Sequence, residues 1–537
     1  MKTKLLILGA VAWLLLSLPL SAIDHLDLIT SMSGEFNGSF FGNGMIAMDF
    51  NGDGYDDLIV NSTNWNTNGV YNDAQRWGRI YFYWGGPEFD NVPDYIITAS
   101  HNYELYSYNI FNGGDINGDG IDDLVVNRNA RPHTAVYYGG SSPSGTPDLI
   151  INSIDPDEYI YPQPLGDINC DGHADIAILS DQPFTGFSKI YAWTGIDEPW
   201  HELVSTSSTF GYVCAGPVGD VNSDGYADYV LQYAISGGDN SNIKIVLYYG
   251  DPSFPQVDSL VISENTNEVP ASRAGCLLGD LNNDGHNDFT AYSGRIWYGS
   301  SNITSVNDLA IDFDTQYHQW GHLTNNTGPD FVYGDLNGDG YDDIVASNAY
   351  ISYYDGEVGI WLGGPYMNGN CNLYLYPPVD YGCRNFGWAK AMGDFNGDGL
   401  CDLAVSAPYW GPNSAPLWAE GRVYVYSGST QLVANEDLLV PECFDSSWQI
   451  DVFPNPSASG SSINVDFQGD AYKQAKQVTL DIYNLKGQKL NSVQVSNPDS
   501  SYQLPNQITS KLSVGLYIIA VHNDAKPLFK TKICIIK

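Results

Sequence analysis

Asp394-Phe395-Asn396-Gly397-Asp398-Gly399-Leu400-Cys401-Asp402-Leu403 is one copy of a ten-residue phrase that decides how this chain is built. Its skeleton is Asp-x-Asn-x-Asp-Gly-x-x-Asp, followed by an apolar or aromatic residue. The same skeleton starts at Asp49, Asp115, Asp167, Asp220, Asp280 and Asp335, at intervals of 52 to 66 residues. All seven copies keep Asn at position 3, Asp at 5, Gly at 6 and Asp at 9, and six follow directly on a Gly. An ordinary polar turn needs about two such residues, not five at fixed spacing seven times over. Self-similarity at this period marks a repeat architecture.

The residue types point to a hard cation. Ca²⁺ takes six to eight oxygen ligands at roughly 2.3–2.6 Å. Side chains 1, 3 and 5 can converge as the loop curls, and Gly at 6 permits a turn with positive φ. The carbonyl of residue 7 then faces the ion, and Asp at 9 closes the site. The expected ligand sets are Asp49, Asn51, Asp53, Tyr55 and Asp57; Asp115, Asn117, Asp119, Ile121 and Asp123; Asp167, Asn169, Asp171, His173 and Asp175; Asp220, Asn222, Asp224, Tyr226 and Asp228. The remaining three are Asp280, Asn282, Asp284, His286 and Asp288; Asp335, Asn337, Asp339, Tyr341 and Asp343; Asp394, Asn396, Asp398, Leu400 and Asp402. Up to seven Ca²⁺ ions are therefore expected, each relieving the mutual repulsion of three carboxylates. His173 and His286 should contribute carbonyls and turn their imidazoles outward. An EF-hand shares the opening but needs Glu at position 12 and flanking helices. Position 12 here is Val60, Val126 and Ile178 in the first three copies.

The residues just after each loop are β-like: Leu58-Ile59-Val60, Leu124-Val125-Val126, Ile344-Val345-Ala346. A second run precedes a Gly, as in Arg79 to Tyr83 and Ala135 to Tyr138. A third begins at Asp94, Asp148 and Asp308. With the run before the loop, each unit has four strands. Seven four-stranded units predict an all-β fold, a seven-bladed β-propeller. The outer-strand pattern occurs once more near each end of the array, at Asp27 to Thr30 and at Glu436 to Leu439. We expect the N-terminal copy to pair into the last blade as a clasp, leaving 436–440 as a linker strand.

These units resemble FG-GAP (VCBS) repeats, the blades of the integrin α-subunit propeller. Phe386-Gly387 ahead of Asp394, with Ala407-Pro408 behind it, carries the namesake pattern best; Phe41-Gly42 and Phe210-Gly211 match in part. The resemblance implies Ca²⁺ in the hairpin between the first two strands of each blade.

The chain ends differ from the array. Lys2 and Lys4 precede an apolar run from Leu5 to Leu20, with Ser21 and Ala22 as small residues for cleavage, which reads as a secretory signal over 1–22. About sixteen apolar residues fall short of the roughly 20 that span a bilayer. The propeller is expected over 23–446. From Asp451 to Lys537 there are nine Lys and six acids, whereas residues 23–450 hold 57 acids and 11 bases. Residues 447–537 read as a small Ig-like β-sandwich. This segment resembles a type IX secretion C-terminal sorting domain through Val452-Phe453-Pro454-Asn455-Pro456, Tyr483 to Gln488, Gly515-Leu516-Tyr517 and the Lys-rich end. That resemblance implies a bacterium with an outer membrane, export by the type IX machinery, and a protein released or attached to the outer surface.

The 537 residues carry 63 acids against 22 bases, a net charge of −41. Nucleic acid is a poor partner for such a polyanion. No segment after residue 22 is apolar enough to span a membrane. No C-x-x-C occurs, and Cys371 with Cys383 is the best disulfide candidate. No G-x-S-x-G, H-E-x-x-H or Walker loop is present, so no catalytic residue is assigned. The leading expectation is a secreted or surface binding and adhesion module for a glycan or protein ligand. The alternatives are a polysaccharide lyase or hydrolase on a calcium propeller, or a purely structural surface component. Trp65, Tyr71, Trp77, Tyr409, Trp410 and Trp418, on long loops of the first and last blades, form the candidate ligand platform.

Overall fold

The computed structural model describes residues 26–69, 76–99, 110–127, 133–154, 159–181, 188–195, 200–205, 213–234, 243–255, 257–266, 275–292, 294–311, 331–349, 356–365, 367–378, 383–411 and 419–432. In the C-terminal part it describes 449–453, 457–458, 463–468, 477–484, 489–496, 501–504, 515–523 and 526–536. The signal segment, Tyr71, Trp418 and strand 436–440 lie outside these residues.

Seven four-stranded antiparallel sheets follow one another. Blade 1 is Phe41–Met48, Asp57–Ser62, Arg79–Tyr83 and Tyr95–Thr98. Blades 2 to 6 repeat that order, and their inner strands are Ile110–Asn112, Tyr159–Gly166, Val213–Gly219, Cys276–Gly279 and Val332–Gly334. Blade 7 is Lys390–Gly393, Asp402–Ala407 and Arg422–Tyr426, completed by Leu28–Ser33. The inner strands touch in cyclic order, blade 1 against 2 and so on to blade 7 against 1, so the wheel is closed.

Closure takes the predicted route. Thr30 pairs with Val425, Met32 with Val423 and Ser33 with Arg422. Met32 is buried with Phe41, Tyr81 and Val423 between the first and last blades, which gives the clasp an apolar anchor. The second strand of each blade is the driest: Leu58, Ile59, Val60, Leu124, Val125, Ile344, Val345, Leu403, Ala404 and Val405 have no exposed surface. Both its faces meet a neighbouring blade, which is why these strands read as continuous apolar runs.

The Phe-Gly pair has a packing reason. Phe41 and Phe386 are buried, edge-on to Tyr81 and Tyr424. Gly42 and Gly387 have φ of 80° and 85°. A Cβ on Gly387 would lie 2.7 Å from the Cβ of Ser347 in the preceding blade. Gly356 of blade 6 bridges Phe386, and Gly421 of blade 7 presses as closely on the Phe41 backbone. Blades dock through glycine against backbone at these points.

In blades 1, 2, 5 and 6 a side chain just before the outer strand ties the hairpin, whereas Asp258 and Asp27 do so through their carbonyls. The carboxylates of Asp94, Asp148 and Asp308 accept the N–H of Trp84, Tyr138 and Tyr298 at 2.9–3.0 Å. Asn372 does the same for Leu362. The expected disulfide between Cys371 and Cys383 is not formed. The Cys371 thiol lies toward the carbonyls of Ile360 and Leu373, and Cys383 is buried beside Tyr424 in the next blade's core. The C-terminal strands form a three-stranded and a five-stranded sheet. Val465, Leu480, Ile482, Ile519 and Val521 are buried among them.

Candidate metal centres

All seven loops join the inner to the second strand of a blade, so all open on one face. Their backbones are alike. Position 6 is glycine with φ between 87° and 94° in every copy. Position 4 is also left-handed in every copy: Gly52, Gly118, Gly338 and Gly397, but also Cys170, Ser223 and Asn283 at φ 54–57°. The sequence shows glycine there in only four copies, so this second constraint was not visible in it.

That curl aims backbone N–H groups at the acids. In blade 1, Asp49 accepts the N–H of Gly52, Asp53 and Gly54 at 2.8–3.0 Å. Asn51 Oδ1 accepts the Asp53 N–H at 2.8 Å, and Asp53 Oδ1 accepts the Tyr55 N–H. The position-5 and position-6 N–H groups donate to the first Asp in the other six loops as well. Positions 1, 3 and 5 thus stay at least partly exposed, fixed by their own loop, except for Asn337, which is buried.

Position 9 behaves differently. Asp57, Asp123, Asp175, Asp228, Asp288, Asp343 and Asp402 have no exposed surface. Asp57 Oδ2 accepts the N–H of Phe50 and Asn51, and its Oδ1 accepts Gly85 N–H from the end of the third strand. The same Gly bond is made by Gly139, Gly250, Gly299, Gly363 and Gly428. Burial, against those backbone donors and with the position-1 and position-5 carboxylates nearby, pushes Asp57 up to about 7 and Asp288 to about 8. Asp123, Asp228 and Asp402 rise to about 7 for the same reason, and Asp343 rises well above the carboxylate range. Asp175 rises to about 8 and leaves Oδ1 buried with no partner.

Every donor in these loops is oxygen, and two surface carboxylates lie near enough to raise the buried one. That donor chemistry fits a hard divalent cation. The orphaned Asp175 Oδ1 is an acceptor that such an ion would satisfy. Among the described residues no trio of His, Cys, Asp or Glu side chains forms a ready-made cluster. The expected convergence of side chains on one point is therefore not drawn up, because each acid is engaged by backbone N–H groups. The imidazoles depart from the outward expectation. His173 lies against Gly118 of the preceding loop, with Nδ1 3.1 Å from the Ile116 carbonyl, and His286 Nδ1 lies 2.8 Å from Ser223 Oγ.

The opposite face corrects the aromatic platform. Trp65 and Trp410 are each 7% exposed. Arg79 and Arg422 stack over them, each 3.5 Å from the ring centroid. Glu35, just past the clasp, accepts Trp65 Nε1 at 3.0 Å and Tyr81 Oη at 2.7 Å, and pairs with Arg79. Burial alone would raise Glu35, but these three donors hold it below its ordinary value. The two rings thus pack their loops and offer no face. Trp77 is half-buried against the blade 1–2 core. Tyr409 remains half-exposed, edge-on to Phe40 and Trp388.

With the blades, the Phe-Gly docking and the loops in place, the FG-GAP repeat family matches residues 41–77 and 386–426, and an FG-GAP-like repeat matches 220–291. A secretion system C-terminal sorting domain matches residues 451–537. The chain carries FG-GAP repeats and a sorting tail. Mouse (Mus musculus) integrin alpha-IIb is 25% identical over 265 residues, 48% of this chain and 20% of that protein. Phosphatidylinositol-glycan-specific phospholipase D of Rattus norvegicus is 29% identical over 168 residues, 27% of this chain and 20% of that protein. The chain thus spans about a fifth of the length of these relatives. PorZ, a surface component of the type IX secretion system of Porphyromonas gingivalis, superposes with a TM-score of 0.37 at 12% identity, covering 90% of this chain and 58% of PorZ. The sorting tail implies type IX export to the outer surface or beyond it. No helix among the described residues is long and apolar enough to cross a membrane.

Proposed function

We propose that this FG-GAP propeller is a calcium-loaded binding and adhesion module, delivered outside the cell by the type IX machinery that reads its tail. Ca²⁺ would be held by positions 1, 3, 5 and 9 and the position-7 carbonyl of each loop. Bound there, it supplies positive charge to three carboxylates and stabilises only the folded loop, by mass action. The observation that carries the reading is the repetition of one all-oxygen loop, with one backbone curl, seven times on one face. Seven equal loops suit a scaffold. The ligand, a glycan or a surface protein, would then meet the opposite face, where loop length and composition vary from blade to blade. There Phe40, Trp388 and Tyr409 keep partly exposed rings at the seam between the first and last blades. The test is calorimetric calcium titration of the chelator-stripped protein, then glycan and surface-protein arrays with the loaded protein and a Tyr409→Ala variant. Calcium uptake with a raised melting temperature, and array binding that weakens in the variant, would support the proposal. No calcium uptake would end the metal reading, and array binding indifferent to the variant would move the ligand away from the seam.

A further inference from the structure

The seven loops are bonded to one another as well as to themselves. The N–H at position 8 of one loop donates to the position-1 carbonyl of the loop before it. Ala174 donates to Asp115 at 2.7 Å, Ala227 to Asp167 at 3.1 Å, Asp342 to Asp280 at 3.1 Å and Cys401 to Asp335 at 3.0 Å. The position-2 carbonyl accepts from the hairpin of the next blade: Gly140 donates to Phe50, Asp251 to Ile168, Gly364 to Leu281, Ser429 to Leu336 and Gly86 to Phe395, at 2.6–3.0 Å.

Side chains add to this belt. Ser223 at position 4 donates to the Gly285 carbonyl of the next loop and meets His286, and Asn283 donates to the Gly340 carbonyl at 2.6 Å. Asp56 and Asp342 accept the N–H of Asp394 and Asp280, the first ligand residue of the preceding loop, at 2.9 and 2.7 Å. The Asp394 bond crosses the closure seam, so the belt has no free end. The peptides it grips, at positions 1 and 2, are those that carry or adjoin the first carboxylate. Asp175 Oδ1 and Asn282 Oδ1, at ligand positions of two loops, are buried acceptors for which the surrounding backbone supplies no donor.

We propose that this belt makes ion binding cooperative around the wheel: filling one loop fixes the position-1 and position-2 peptides, and with them the geometry of the loops bonded on either side. This rests on the calcium reading above and extends it from seven sites to one linked set. Coupling of this kind runs through contiguous hydrogen-bonded elements, and a typical magnitude is roughly fivefold or more in neighbouring affinity.

The experiment is calcium titration of the chelator-stripped full chain by calorimetry, with bound ions counted by atomic spectrometry at each step. A sigmoidal isotherm is expected. An Asp398→Asn variant should lose more than its own ion at half-saturation and shift the remaining ions to roughly fivefold higher calcium. A Ser223→Gly/Asn283→Gly double variant keeps every ligand, suits the left-handed backbone, and cuts the side-chain links between loops 4, 5 and 6. It should flatten the isotherm while reaching the same final ion count. Ions filling independently in the parent chain, or an isotherm unchanged by the double variant, would overturn the coupling and leave the calcium sites standing. No uptake at all would overturn the calcium reading and the coupling with it.

Discussion

The two faces of the wheel obey opposite rules. On the loop face, seven turns share two left-handed positions, a buried acid and a belt of backbone bonds, so each unit is a copy of the last. On the other face the connections between the second and third strands differ in length from blade to blade. Blade 5 turns from Tyr292 to Arg295 in a minimal hairpin. Blade 1 carries a long loop in which Trp65 is trapped between Arg79 and Glu35. Uniformity serves closure, because every blade must meet its neighbour at the same angle. Variety is free to accumulate where no neighbour depends on it.

The largest expected effect separates ion from scaffold. In the chelator-stripped protein the position-9 acids sit at about 7 to 8, above the ordinary 3.8. The folded state then binds more protons than the unfolded one between about pH 4 and pH 8, so stability falls as pH rises through that window. Melting temperature without calcium should drop from pH 5 to pH 8 by more than any substitution below produces. With saturating calcium the carboxylates are held ionised, and the trend should vanish or reverse. Thermal scans across pH with and without chelator read this directly; a flat chelator curve would break the contrast between buried and surface acids.

Within one loop, Asp288→Ala removes the partner of two buried N–H groups, those of Leu281 and Gly299. It should cost about 2–5 kcal/mol with or without calcium, measured by denaturant unfolding. Asp284→Ala, at the exposed position 5, should lower stability chiefly when calcium is present. Equal losses in both conditions for both variants would erase the distinction.

Blade docking comes next. Gly387→Ala forces a Cβ into Ser347 at a left-handed φ and should cost about 1–3 kcal/mol. The smallest effect sharpens the rule for position 4. Cys170→Gly, at φ 57°, should stabilise by about 0.5–1 kcal/mol. Ser223→Gly gains the same relief but loses bonds to the next loop, so its net change should be nearer zero. A difference in unfolding midpoint between the two variants measures what the inter-loop bond is worth.

Legibility in the sequence divides along the same line. The loops, the four strands per blade and the N-terminal clasp were legible because fixed oxygen donors, glycine and apolar runs recur with a period. Position 4 was hidden because left-handed backbone there is borne by Cys170, Ser223 and Asn283 as well as glycine. The belt was hidden because it is made by main-chain groups, which every residue at position 8 supplies. The buried state of Trp65 and Trp410 was hidden because a loop has no periodicity to betray its inward side. Their arginines, Arg79 and Arg422, each open a third strand directly after a glycine, a Gly-Arg pattern that would have hinted at the stacking. Cys371 and Cys383 are near in sequence, but the route between them leaves one blade's core and enters the next.

The strand that completes blade 7 begins at Leu28, and its partner Arg422 stands 389 residues beyond Ser33. A ribosome or a translocation pore delivers those two pieces at opposite ends of the polypeptide's emergence. The first segment to arrive must wait, without its mate, until almost every other blade has formed. Such a long-range final step is slow and exposes an open strand edge meanwhile. The wheel is thus sealed last by what was made first, and the unsealed ring is the species that any chaperone guarding this chain would meet.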